Sequence, residues 1–289
     1  MSARKQFRHR VNATGISISH PDTESYFDSS YIEENTYSPI DKFILNSNKL
    51  NLLYSKVIDT SGDLLSPDLV RTQYNLILLG YISAVESYLR EIIRKLIVID
   101  SCCRTASENR LLSFGAAVYY EKELLPEALL ENCSFASKKN IIDSFKNFLG
   151  IKGHCPQEVD SILSNFEKIC HLRHCIIHRF GKLGSNNAIK FGLDSHSKCL
   201  EKPISLNEDK LYEIYLICEN TVLVLNHYLY EKILFRTIEP EHSEWTWDLR
   251  KDKEKFQKYY YLFASSKKPP EPTSNLQDAY TALRNYKLL

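Results

Sequence analysis

What this 289-residue sequence lacks narrows it first. It has no excess of charge of either sign, with 37 Lys+Arg against 36 Asp+Glu and a formal net charge of +1. Attraction to nucleic acid by overall charge is thereby excluded, and any basic surface must be local. There is no long apolar run, since stretches such as Leu76 to Leu79 break within a few residues. A bilayer-spanning helix needs about 20 largely apolar residues, so none is predicted and no membrane partner is expected. No apolar stretch follows Arg4, Lys5, Arg8 and Arg10, so no secretory signal is read there. Residues 1–21 also lack any acid, as transit peptides do, but carry no clear amphipathic pattern. Eight cysteines are too sparse for a disulfide scaffold, and without an export signal they are expected as reduced thiols in a cytoplasmic protein. Phosphate loops, Gly-x-Gly-x-x-Gly, Gly-x-Ser-x-Gly, His-Glu-x-x-His and paired Cys-x2-Cys are all missing.

What is present is helical period. Residues 1–40 are polar and aperiodic and read as an N-terminal extension, irregular or a short hairpin. From Pro39, Phe43, Ile44, Leu50, Leu53 and Val57 fall at three- and four-residue steps. Ser66 can cap a long helix with Pro67 at its first position, and Leu78, Tyr81, Ile82, Val85, Leu89, Ile92 and Leu96 form its stripe to about Ile99. Residues 110–131 predict a shorter helical stretch broken at Pro126, and Lys138 to Leu149 a helix ended by Gly150. Another helix opens at Pro156, with Gly181 placed as its cap. The Gly/Asn/Ser segment 181–200 reads as loose, with room for a short strand pair. Ser205 with Glu208 has the form of a capping box opening a long helix to Leu234. Residues 238–289 read as a C-terminal helical extension with a Pro-rich linker at Lys268 to Ser274. The fold class is all-α: two or three long antiparallel helices within 41–237, flanked by the two extensions.

The unusual residues collect at the end of the helix opened by Pro156, in His171-Leu-Arg-His-Cys-Ile-Ile-His178-Arg-Phe-Gly-Lys182. On a helical wheel Arg173 lies almost in line with Phe166, on the apolar stripe, where a guanidinium needs a partner. His174 and His178 are four apart and hence neighbours. No acid occurs between Glu167 and Asp194, whereas Lys168, Arg173, Arg179, Lys182 and Lys190 are basic. Such a site suits a phosphodiester. Arginine offers a permanently charged fork to the non-bridging oxygens, and histidine exchanges a proton near neutral pH. Ribose supplies its own 2′-hydroxyl nucleophile, so RNA is the expected partner and DNA is not cut by this route.

Arg173-His174-Cys175-Ile176-Ile177-His178 resembles the Arg-polar-x3-His motif of the HEPN superfamily, α-helical proteins that include many metal-independent endoribonucleases of toxin and defence systems. Ala84-Val-Glu-Ser-Tyr-Leu-Arg90 is similar to the Glu-bearing first core helix of several branches. The resemblance covers roughly 66–236. It implies a homodimer whose two motif helices build one RNA-cleaving site, with Arg173 and His178 essential, His174 assisting and Glu86 orienting them. Lys168, Arg179 and Lys182 are the expected RNA contacts, with no metal and no cofactor. A free nuclease would be lethal, so the resemblance also implies control by assembly or by a regulatory partner, an antitoxin or a sensor. Arg4 to His9 repeats the bare spacing but has no helical pattern around it.

Blander readings stand beside these. Arg173 can pair structurally with an acid such as Glu86, and Glu86 with Arg90 four residues on. The module can bind RNA, nucleotide or protein without turnover. His171, His174 and His178 form one strip that, with His154 or Cys155, could hold zinc. The cysteines read as small buried hydrophobes. Tyr259 to Tyr261 read as an apolar helix end docked on the core, or as rings for stacking bases.

Overall fold

The computed structural model describes residues 20–31, 37–61, 66–239, 245–267 and 275–287, and for 56–61 the backbone alone. The Arg4–His9 spacing, the linker 268–274 and the side chain of Val57 lie outside the described residues. Among the described residues the fold is all-α, with twelve α-helices and one isolated bridge, Lys182 to Pro203. None of these helices is long and apolar enough to cross a membrane.

Two compact units are present, Met1–Thr36 and Tyr37–Leu289. In the first, residues 20–31 hold a 3-10 turn at Glu24–Tyr26, and Asp28 accepts hydrogen bonds from the Ser30 amide and hydroxyl at 3.0 and 2.6 Å.

The second unit is built on four long helices: α1 (Pro39–Ser61), α2 (Pro67–Ile99), α7 (Gln157–Arg179) and α10 (Glu208–Ile238). Ser66 caps α2 by accepting from the Leu69 amide, and the stripe from Leu78 to Leu96 is buried throughout. Along α1 the stripe is less complete, with Phe43 buried and Leu53 exposed. Side-chain pairings fix the directions. Lys42 meets Glu91 and Asn51 meets Tyr81, so α1 runs antiparallel to α2. Tyr81 meets Tyr215, Tyr88 meets Asn226 and Asp100 meets Arg236, so α10 runs parallel to α2. Arg173 meets Glu86, while Gly181 lies beside Asn75, so α7 is antiparallel to both. The four helices thus run as two like-directed pairs, α2 with α10 and α1 with α7, each pair antiparallel to the other. Apolar periodicity defines faces, not relative direction.

Shorter helices close the ends: α3 (Ser101–Ser107), α4 (Phe114–Tyr119), α5 (Leu125–Leu130), α6 (Lys138–Leu149), α8 (Ser185–Phe191), α9 (Leu193–His196), α11 (Leu249–Phe263) and α12 (Leu276–Lys287). Several boundaries differ from expectation. Pro126 lies in the first turn of α5, where its missing N–H costs nothing, so the break falls before it. Segment 181–200 is mostly helical rather than a strand pair. Asn207, not Ser205, caps α10 by accepting from the Lys210 amide at 3.1 Å. Asn is as good a cap as Ser and stands next to the first helical residue.

Buried polar ties fasten the C-terminal helices to the rest. Asp100, 2% exposed, accepts from Arg236 at 2.6 Å and from the Tyr259 hydroxyl at 3.1 Å, and Arg236 also donates to the Leu149 carbonyl at 2.6 Å. Asn226 donates to the Phe263 carbonyl, and Trp245 to the Thr237 hydroxyl. Tyr259 is buried and Tyr261 exposed, as a helix end docked by one face requires.

Two further aspartates make stability pH-dependent. Burial alone would push the Asp252 carboxyl up. Hydrogen bonds from the Tyr280 hydroxyl, Thr246 and the Trp247 amide outweigh it and hold the group below the ordinary carboxylate value. Asp41 follows the same pattern, with burial opposed by Ser266, Ser265 and the Lys267 amide. A carboxyl depressed in the folded state stabilises above its unfolded value, near 3.9, and loses that contribution as pH falls through the folded value. The urea midpoint is therefore expected to drop between roughly pH 5 and pH 3. Asp41→Asn with Asp252→Asn should flatten that drop. An equally steep loss in the double variant assigns it to other groups.

Candidate functional site

The C-terminal end of α7 is held from several sides. Phe180 ends the helix in the left-handed conformation, φ 51°, where glycine was expected, and Gly181 follows at φ 90° with its amide donating to the Cys175 carbonyl at 3.0 Å. The cap thus falls one residue earlier than glycine preference suggests. Beyond it the chain pairs briefly with 201–204, Leu183 N–H donating to Lys202 O and Ile204 N–H to Gly181 O. From α8, Asn187 donates to the Cys175 sulfur at 3.1 Å, and Phe191 meets His171 edge-on at 5.8 Å. These contacts fix where the last two turns of α7 present their polar residues.

Arg173 and Glu86 come together across the α2–α7 contact, Nη2 to Oε2 at 3.8 Å, both half-buried. The partner that the apolar stripe demanded is thus Glu86. Arg90 instead donates to the Leu130 and Cys133 carbonyls at 2.6 and 2.7 Å, so the expected Glu86–Arg90 pair does not form. At 3.8 Å the Arg173–Glu86 contact is an ion pair longer than a hydrogen bond. Among the described residues no hydrogen bond uses an Arg173 N–H.

His174 and His178 are exposed, with ring centroids 4.3 Å apart. Five helical residues rotate about 140° and rise about 7.5 Å, so Arg173 and His178 leave α7 in different directions.

The basic residues differ in availability. Lys182 is exposed, and Lys168 is exposed with a 3.4 Å hydrogen bond to Asn165. Arg179 donates from Nη2 alone to both carboxylate oxygens of Glu201, at 2.7 and 2.8 Å, which ties up one nitrogen and offsets its charge. His171 is half-buried beneath Phe191, and burial, with Lys190 and His174 nearby, holds its imidazole below the usual value against the pull of Glu167. It is a packed residue rather than a solvated flank. Among the described residues no three His, Cys, Asp or Glu side chains group as a metal site. The cysteines are all free. Cys103, Cys170, Cys175 and Cys218 are buried, and burial pushes the Cys170 thiol up to about 12.

Sequence reasoning missed Asn75. It is 7% exposed, its Nδ2 lies 3.2 Å from where a Cβ on Gly181 would stand, and its Oδ1 has no partner among the described residues. The signal was available, because Asn75 is the one amide on the α2 stripe, three residues before Leu78. Exposed apolar residues also flank this end: Ile177 and Phe180 on α7, and Leu76 beside Asn75.

Neither protein-family models, nor curated proteins, nor solved structures give a match to this chain. The functional reading rests on residues and geometry.

Proposed function

We propose that this chain is a metal-independent endoribonuclease of the HEPN type. It is a cytoplasmic toxin or anti-phage effector that acts on RNA as a homodimer and is restrained by a regulatory protein, an antitoxin or a sensor. The observation that carries the reading is the state of Arg173, a half-buried guanidinium oriented by Glu86 with its N–H donors unspent, one turn from a pair of exposed imidazoles. A fork held in this way matches two phosphate oxygens. The chemistry is transesterification. The 2′-oxygen bonds to phosphorus as the P–O5′ bond breaks, one imidazole takes the 2′-proton, and a protonated one gives its proton to the leaving 5′-oxygen. The products are a 2′,3′-cyclic phosphate and a 5′-hydroxyl, with no water or metal consumed. The divergence of Arg173 and His178 on α7, with Ile177, Phe180 and Leu76 exposed beside them, supports a site completed by a second copy.

Purified protein should cleave RNA in the presence of chelator, leave cyclic phosphate ends, and spare a substrate carrying a single 2′-deoxyribose at the cut position. Cleavage of the deoxy-substituted position would sink the mechanism. The Arg173–Glu86 contact also favours a second reading, a non-catalytic HEPN-like module in which Glu86 satisfies Arg173 structurally. That module would bind RNA and leave its ends unchanged.

A further inference from the structure

The α7 residues do not account for where positive charge collects. From Trp245 to Lys287 the sequence carries nine Lys/Arg against five Asp/Glu, in a chain whose net charge is +1. Part of this excess converges. The first turns of α11 and α12 border an open groove of about 880 Å³, lined among others by Trp247, Asp248, Arg250, Lys253, Gln277 and Arg284. Arg250, Lys253 and Arg284 are exposed, and among the described residues none is engaged in an ion pair. The acid of the set, Asp248, is spent as the α11 cap, accepting from the Arg250 amide at 3.0 Å. The first turn of α11 opens on the groove, and α12 runs antiparallel along it, bringing Arg284 and Lys287 of its last turn to the same end.

Trp247 has an unusual place. It is one of two tryptophans in the chain, and its φ is 62°, a conformation that bulky residues rarely adopt. Asp252 holds it there by accepting the Trp247 amide at 2.9 Å, and the Lys287 ammonium sits 4.5 Å from the ring centroid. Trp245, by contrast, is 7% exposed and bonded to Thr237. Trp245 is thus core, while Trp247 is partly buried beside it, ring centroids 6.3 Å apart, with its remaining surface on the wall of a cationic groove.

The geometry points to a second RNA-contacting surface here: the groove takes a single strand by stacking a base on Trp247 and holding its phosphates on Arg250, Lys253 and Arg284. An aromatic ring flanked by cations is the arrangement that grips single strands without reading their sequence. The open form suits a passing strand better than an enclosed metabolite, and a ligand recognised by phosphate alone would leave Trp247 unused. The inference deepens the endoribonuclease reading and takes from it the identity of the strand. The groove would hold substrate beyond the cleaved bond and so raise affinity without taking part in the chemistry.

The test uses the full-length chain with an uncleavable probe, a 2′-O-methyl oligonucleotide of twelve residues, titrated at low salt while tryptophan emission is followed. Saturable quenching is expected. Trp247→Phe should abolish it and leave the Trp245 emission and the helical circular dichroism in place. Lys253→Glu with Arg284→Glu, both on exposed side chains, should weaken binding at least tenfold. Losing two phosphate contacts should also lower the slope of log K against log salt by about 1.4. The proposal is overturned if Trp247→Phe is quenched like wild type, or if the charge-reversed protein keeps both affinity and salt slope. Separate assay of ribo-substrate cleavage keeps the two ideas apart. No RNA cut, with quenching as described, removes the nuclease and leaves the groove. Cleavage with unchanged binding in the groove variants removes the groove alone.

Discussion

Alanine at Arg173 or at His178 is expected to lower RNA cleavage by roughly 10²–10⁴-fold while leaving the helical fold intact. The two losses should differ in kind. His178 is exposed at the end of α7, so its removal deletes a proton-transfer group and should change the shape of the pH–rate profile. In the proposed mechanism Arg173 grips phosphate oxygens, so its removal should lower the rate at every pH. Arg173→Lys keeps the charge but not the fork, and should recover only a minor part of the activity. Glu86→Gln keeps the shape but releases the 3.8 Å ion pair, so Arg173 loses orientation and the rate falls less than with alanine at Arg173 itself. Mixing the two inactive alanine variants tests the composite site. Recovery of activity places Arg173 of one copy with His178 of another, and no recovery assigns a complete site to each chain. Undiminished cleavage in either alanine variant would remove that residue from the mechanism.

The largest stability effect is expected at Arg236. Its guanidinium joins Asp100 on the α2–α3 junction to the Leu149 carbonyl at the end of α6, and Tyr259 of α11 closes the group. Asp100 is 2% exposed, so removing its cation leaves a carboxylate buried with neutral donors alone. Breaking a buried pair in this way costs about 3–5 kcal/mol, because the remaining charge loses compensation without regaining water. Arg236→Met should therefore shift the urea midpoint far below wild type. Asp100→Asn with Arg236→Met should be more stable than Arg236→Met alone, since the charge requiring compensation is gone. If the double variant falls by the sum of the single losses, the two residues act independently and the pairing contributes little.

How far these features can be read from sequence depends on whether their causes are local. The span from Ser66 to Ile99 is legible because a cap, a Pro at the first position and an unbroken stripe all lie within it. The break before Pro126 and the cap at Asn207 are harder, because neighbouring residues offer equivalent local solutions and packing selects one. The need of Arg173 for an acid follows from its place on an apolar stripe, and Glu86 is a nameable candidate. That Arg90 turns to two carbonyls at the end of α5 and just past it, or that Glu201 pairs with Arg179, is not legible, since those partners lie 40 and more, and 22, positions away. The groove at Trp247 escapes for the same reason, as it exists only once α11 and α12 are placed side by side.

The ties on α11 and α12 also bear on where such a chain can be cut and rejoined. Ending it at residue 238 would strip Tyr259 from Asp100, Phe263 from Asn226 and the three Asp41 ligands from the start of α1. It would also bare the apolar surface that Phe256, Leu262 and Tyr280 now cover. The last fifty residues are therefore inherited with the helices before them, as one piece. Among the described residues, a graft or recombination event meets fewer such ties at residue 37, where the second compact unit begins.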